Sequence, residues 1–144
     1  MKKSIPNLLL SCLLGSIFYL ILGWLIFDVV LGDYTEKNTT QLEGFKKTTD
    51  FSFLFLYLSC LAYSFLINFI LFHTTINSLV KAMSFSAIVG ILVACMTDFF
   101  WYASSTFYSN FTVVCLDLAG AAVSVGALGG LSFALLKTKR TRTT

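Results

Sequence analysis

The sequence predicts an all-α fold, an integral membrane antiparallel four-helix bundle, on three observations. The chain of 144 residues is 57% hydrophobic and only 12% charged, where a soluble domain carries about 25% charged residues. Its mean hydropathy is +0.84, and the few charges are segregated, leaving long stretches nearly bare. Four apolar runs, at about 7–31, 51–72, 79–103 and 111–136, are each long enough to cross the bilayer. About 20 residues span a roughly 30 Å hydrocarbon core as a helix. No run alternates apolar and polar residues as a barrel strand would.

The first segment follows Lys2 and Lys3, the basic start of a signal peptide. Its apolar run is too long for one and lacks a small-x-small cleavage site, so it is expected to be a retained helix. Leu10-Ser11-Cys12 resembles a lipoprotein box, but the apolar stretch before Cys12 is too short and the one after it too long. Ser11 and Gly15 give this helix a short small-residue face. Residues 32–50 form the one extended polar segment, expected to be an outer loop that is irregular or carries a short surface helix. The second segment bears Asn68 in its inner half, expected to be satisfied by a neighbouring helix, and His73 follows it alone.

The third segment opens at Lys81 and carries Ala82, Ser86, Gly90, Ala94 and Asp98 at intervals of four. That spacing puts four small residues and an acid on one stripe, where another helix backbone can approach closely. The fourth carries Ala122, Gly126, Gly130 and Ala134 at the same spacing, with Asp117 about 140° from that stripe. Such a face fits packing within the bundle or against a second copy, so a homodimer is a partner to test. Residues 137–144 are a basic tail with Lys137, Lys139, Arg140 and Arg142.

Orientation follows from these cations. Lys2, Lys3, Lys81 and the tail fall on one side if both termini are cytoplasmic; Lys37, Lys46 and Lys47 lie in the outer loop among Asp33, Glu36, Glu43 and Asp50. The positive-inside rule predicts that arrangement. The tail accounts for most of the net charge of +3, so the charge points to topology and contact with the lipid bilayer rather than to nucleic acid. No phosphate loop, zinc spacing or nucleophile elbow is present, and no cofactor is implied.

In this topology three acids, Asp28, Asp98 and Asp117, share the outer half of the membrane. Asp117 lies about 10 Å below the outer end of its helix. A charge at the bilayer centre costs roughly 2.5–3.5 kcal/mol even on the lenient insertion scale. Burial favours the neutral carboxyl, so at least one of the three, Asp117 first, is expected to hold a proton near neutral pH. Thr97, Ser104, Ser105, Tyr102, Tyr108, Asn110 and Thr112 are within the same region as hydrogen-bonding partners. Each acid also has a plainer reading, a protonated side chain tying two helices together. Trp24, Trp101, Tyr102 and Tyr108 fall at the outer ends as interfacial anchors would, or line an external pocket. Cys12, Cys60, Cys95 and Cys115 fall one per helix and read as small apolar thiols, with a Cys95–Cys115 disulfide as the alternative.

These acids carry a resemblance. Asp28 late in the first helix, Gly90 leading to Thr97-Asp98-Phe99, and Asp117-Leu118-Ala119-Gly120 resemble a family of small bacterial four-span membrane proteins of unknown function. In that family the third helix ends near Tyr-Asp-Leu-Thr-Asn and the fourth bears Asp-x-x-Trp-Gly. The Trp that follows the family's first and last Asp is absent here, and Phe100-Trp101 replaces its Thr-Asn. The resemblance implies a bacterial inner membrane and treats the three acids as one set; it lends no activity.

The sequence therefore predicts a small proton- or cation-linked transporter using Asp117, Asp98 and Asp28. The alternative is a non-catalytic module binding a lipid, a small molecule or a partner subunit. Asp98 and Asp117 would suit an intramembrane aspartyl protease, but the Gly-x-Gly-Asp signature is missing and no enzyme is expected.

Overall fold

The computed structural model of the protein describes residues 5–40 and 52–137. The expectations for Lys2, Lys3, Glu43, Lys46, Lys47, Asp50, Lys139, Arg140 and Arg142 concern positions outside the described residues. Helix α1 spans Ile5–Trp24 and continues as a π-helical turn over Leu25–Val30, followed by α2 (Gly32–Asn38), α3 (Phe53–His73), α4 (Leu79–Ser104) and α5 (Phe111–Lys137). Four of these helical stretches are long and apolar enough to cross a membrane, at 26, 21, 26 and 27 residues. At 1.5 Å per residue even the shortest covers about 31 Å. The protein is a multi-pass, all-α membrane protein.

Local chemistry accounts for the ends. Pro6, the chain's one proline, sits in the first turn of α1, where its missing N–H leaves no hydrogen bond unmade. Asn110 caps α5 by accepting the backbone N–H of Val113 at 3.2 Å. The first span is not a plain α-helix to its end: Leu31 N–H donates to Ile26 O at 2.9 Å, five residues back. That wider turn changes which residues face the bundle. It turns the ring of Phe27 onto Gly120 of α5, whose own lack of a side chain makes the space. Residues 32–38 of the polar loop form the short helix α2, anchored by the N–H groups of Tyr34 and Thr35 on Leu31 O.

Packing is centred on α5. It contacts α1, α3 and α4, whereas α4 packs on α5 with no comparable contact to α1 or α3, and α1 pairs with α3. The bundle is thus a trio of α1, α3 and α5 with α4 laid along α5. The small-residue stripes explain the closeness. A methyl group on Gly90 would strike Val125, and one on Gly129 would strike Ser86. Gly126 and Gly130 lie against Ala87 and Met83 of α4. The stripe of α5 therefore serves packing inside the chain. Ala82, Ser86, Gly90 and Asp98 of α4 are buried, with Ala94 half-buried between them.

The interior is unusually rich in hydroxyls, as expected when lipid rather than water surrounds the helices and small polar residues do the joining. Ser11, Ser16, Ser64, Asn68, Ser86, Ser124 and Ser132 are all buried. Leu9, Leu13, Ile17 and Ile21 of α1 point outward instead. Between α1 and α3, Ser11 Oγ donates to Asn68 Oδ1 at 2.5 Å, Ser64 Oγ donates to Cys12 O at 2.9 Å, and Asn68 Nδ2 donates to Ser64 O at 2.9 Å. Gly15 lets Ser64 and Asn68 approach this closely. An apolar cluster of Ile67, Leu71, Ala82, Val125 and Leu128 fills the half of the bundle nearer the α3–α4 connection.

Candidate functional site

Asp98 sits near the C-terminal end of α4 and is 4% exposed. Its Oδ1 accepts a hydrogen bond from the Tyr108 hydroxyl at 3.1 Å and a long one from Thr97 Oγ1 at 3.4 Å. Thr97 is turned mainly to its own helix, donating to Ala94 O at 2.9 Å. Asp98 Oδ2 is buried and has no hydrogen-bond partner of good geometry among the described residues. The half-buried Asp117 of α5 adjoins it, near enough for the two carboxyl groups to interact directly. No cation is among the groups that act on Asp117 or on Tyr108. Two carboxyls and a phenol therefore meet beside the α4–α5 connection.

Tyr108 is held over this pair by a small clamp. Thr39 and Tyr108 form an isolated antiparallel bridge. Around it Thr40 N–H donates to Phe107 O at 2.7 Å and Ser109 N–H donates to Asn38 O at 3.0 Å. Ser109 Oγ also donates to Asn38 O at 2.7 Å, and Asn110 Nδ2 donates to Asn38 Oδ1 at 2.8 Å. The chain after α2 is thereby knitted to the α4–α5 turn. Burial, with the Asp98 and Asp117 carboxyls beside it, pushes the Tyr108 phenol above its ordinary value, so it keeps its proton and remains a donor.

Below the pair lies Tyr19 of α1. Its ring stacks on Tyr63 of α3 with centroids 5.2 Å apart and planes 8° from parallel. Ser124 and Asp117 of α5 and Cys60 of α3 are among the groups that act on it. Asp117 and Ser124 are seven residues apart, two turns of helix, so they lie on one face of α5, one above the other.

The structure brings together two of the three acids singled out from sequence. Asp98 and Asp117 meet; Asp28 is exposed on the π-helical turn and is not among the groups acting on Asp117. The wider turn presents Phe27 to α5 and leaves Asp28 outside. Tyr108, offered both as an interfacial anchor and as a hydrogen-bonding partner of the acids, is the donor to Asp98, while Trp24 and Tyr102 are exposed as anchors should be. All four cysteines are free, which removes the Cys95–Cys115 disulfide; Cys12 and Cys60 are buried but Cys115 is exposed. The packing residues Gly90, Ala94, Ala122, Gly126 and Gly130 lie on the two most closely packed helices. Sequence reading gave Tyr19 and Asn38 no role at the site. One sits in an apolar run and the other in a polar loop, and only their distant partners mark them. Compared with protein-family models, curated proteins and solved structures, the chain matches none.

Proposed function

We propose that this multi-pass membrane protein is a small proton- or cation-linked transporter whose coupling site is the Asp98–Asp117 pair beneath Tyr108. One observation carries the reading: a buried carboxylate oxygen, Asp98 Oδ2, lacks a hydrogen-bond partner of good geometry among the described residues, while a second carboxyl adjoins it and no cation is among the groups that act on Asp117. Two such groups cannot both ionise at low cost in a poorly solvated site. One proton shared between them relieves the repulsion and supplies the missing donor. Exchange of that proton for a cation, or its release after a conformational change, is the elementary step of coupling.

The pair faces the non-cytoplasmic side in the orientation that the basic termini favour. Among the described residues His73, Lys81 and Lys137 gather at the opposite end, which supports placing that end in the cytoplasm. A path enclosed by protein calls for a homodimer, because α4 covers only one side of α5. The second reading, a module that binds a lipid, a small molecule or a partner subunit, draws on the face of α4 turned away from α5, where Ile88, Leu92 and Met96 are exposed.

The deciding experiment is proton and monovalent-cation flux in proteoliposomes, wild type against Asp117→Asn, from mildly acidic to mildly alkaline pH. Both proteins are first shown to be folded and equally incorporated. Flux in the wild type that the substitution abolishes supports the coupling site. No flux in either, with Asp117→Asn only less stable, returns the acid to a tie between helices and favours the module.

A further inference from the structure

We propose that Ser86 and Ser132 hold water in the seam between α4 and α5, and that this water site is the next station on the path from the Asp98–Asp117 pair. The inference rests on the transport reading and names a ligand and a route for it. Buried hydroxyls elsewhere in the bundle are paired. Ser11 donates to Asn68 Oδ1, Ser16 to Leu13 O, Ser64 to Cys12 O and Ser124 to Ala121 O. Among the described residues three buried polar atoms have no hydrogen-bond partner: Ser86 Oγ, Ser132 Oγ and Asp98 Oδ2. All three belong to α4 or α5. Ser86 is 1% exposed and Ser132 0%. A buried hydroxyl without a partner costs free energy, and helical serines ordinarily avoid that by bonding to the carbonyl one turn back. Ser104 does so, donating to Phe100 O at 2.6 Å.

The packing of the two helices puts these atoms along one seam. A methyl group on Gly129 would strike Ser86 and lie 2.9 Å from Ala82 O, and one on Gly90 would lie 2.7 Å from Val125 Cβ. Four residues forward along α4, from Ser86 to Gly90, are thus matched by four back along α5, from Gly129 to Val125. Two further steps of that antiparallel register bring Asp98 opposite Asp117. In the other direction Ser132 lies three residues beyond Gly129, on the same face of α5. The seam therefore runs from the carboxyl pair, past Ala94 and Gly90, to two unpaired hydroxyls beside the Ala82 carbonyl.

That set of groups suits water. A buried water makes about three hydrogen bonds, and the two hydroxyls and the carbonyl supply them. The contact of Gly90 with Val125 leaves no room for a bulkier guest and separates the two stations. It is also a contact that can open. Since α4 packs on α5 with no comparable contact to α1 or α3, a small parting of α4 from α5 admits water along the seam and leaves the α1–α3–α5 trio in place.

Oxidation of introduced thiols reads the access of water. In a chain whose four native cysteines are replaced by alanine, Ser86→Cys and Ser132→Cys are compared with chains retaining only Cys12 or only Cys60, which are buried in α1 and α3. Each is shown folded by its melting temperature in detergent, reconstituted in proteoliposomes and treated with hydrogen peroxide. Peroxide is little larger than water and attacks the thiolate, which a dry site suppresses. Mass spectrometry is expected to find Ser86→Cys and Ser132→Cys oxidised about tenfold or more faster than Cys12 and Cys60, because one pKa unit of desolvation removes about nine-tenths of the thiolate. Should one of the two variants fail to fold, the other decides. In the otherwise native chain, Ser86→Ala and Ser132→Ala are expected to lower proton flux about fivefold, the worth of one hydrogen bond. Oxidation no faster than at Cys12 and Cys60 overturns the water site and leaves the carboxyl pair standing. Fast oxidation with wild-type flux in both alanine variants overturns the station, since water there would lie off the path. A wild type without flux removes the transport reading, and the station with it.

Discussion

Tyr108 shows how one side chain converts a loop contact into control of a buried acid. Its hydroxyl donates to Asp98 Oδ1, and its backbone belongs to the bridge with Thr39. Tyr108→Phe keeps the ring and the bridge but removes the donor, so it is expected to destabilise the folded protein by about 1 kcal/mol near neutral pH. The dependence on pH has a definite sign. The fold holds the Tyr108 phenol above its ordinary value, so its contribution is fully present below the unfolded value of about 10. It is lost as pH rises beyond that, because the unfolded chain ionises first. Denaturation in detergent, run as a pH series, should show the gap between wild type and Tyr108→Phe closing on the alkaline side. A gap that stays constant above that value would mean that the phenol is not the titrating group. The same residue shows a limit of sequence reading. Its position fits both an anchor at the lipid headgroups and a partner of the acids, and what decides between them, the hold of Asn38 and Thr39 on its turn, comes from some seventy residues earlier.

Among the elements, the pairing of α4 with α5 was the most legible part of the chain. Small residues every four positions announced it, and Gly90 against Val125 and Gly126 against Ala87 are its outcome. What the periodicity left open was the destination of the α5 stripe, since a neighbour in the chain and a second copy need the same small residues. Gly129 was not on the stripe at all, yet a side chain there would collide with Ser86 and with Ala82 O. Gly129→Val is therefore expected to push α4 off α5, at about 1–3 kcal/mol for overpacking. Because Asp98 rides on α4, the displacement should also separate it from Asp117. The melting temperature in detergent reports the first effect, and proton flux the second. A Gly129→Val protein as stable as wild type would show that the contact is looser than its geometry requires. The π-helical turn was wholly illegible: Leu25–Val30 has the composition of any apolar helix, and only the Leu31 N–H bond to Ile26 O reveals the change of pitch. That one turn is why Asp28, grouped with the other acids by its position near a helix end, stands apart from them.

At the scale of the whole molecule, the charges at the two ends set the direction in which any coupling would run. His73, Lys81 and Lys137 mark one end of the described bundle. Asp33, Glu36 and the carboxyl pair belong to the other, where the bridge between Thr39 and Tyr108 shows that the two connections share a side. The positive-inside rule counts Lys and Arg near the ends of spans and gives acids little weight. On that count the end bearing Lys81 and Lys137 is expected to be cytoplasmic, with the Asp98–Asp117 pair nearer the outside. A reporter active only in the cytoplasm, fused after the last residue, is then expected to be active, and one fused within the 32–50 connection inactive. Adding Lys or Arg to that connection should weaken the preference, since each basic residue near a span end biases the inserted orientation. If the fusions report the reverse, the carboxyl pair faces the cytoplasm. A proton-driven uptake from outside would then be excluded for this site, and the flux assays would have to be run with the gradient inverted. The pair itself would survive that result, because its geometry depends on α4, α5 and the clamp and not on which compartment they face.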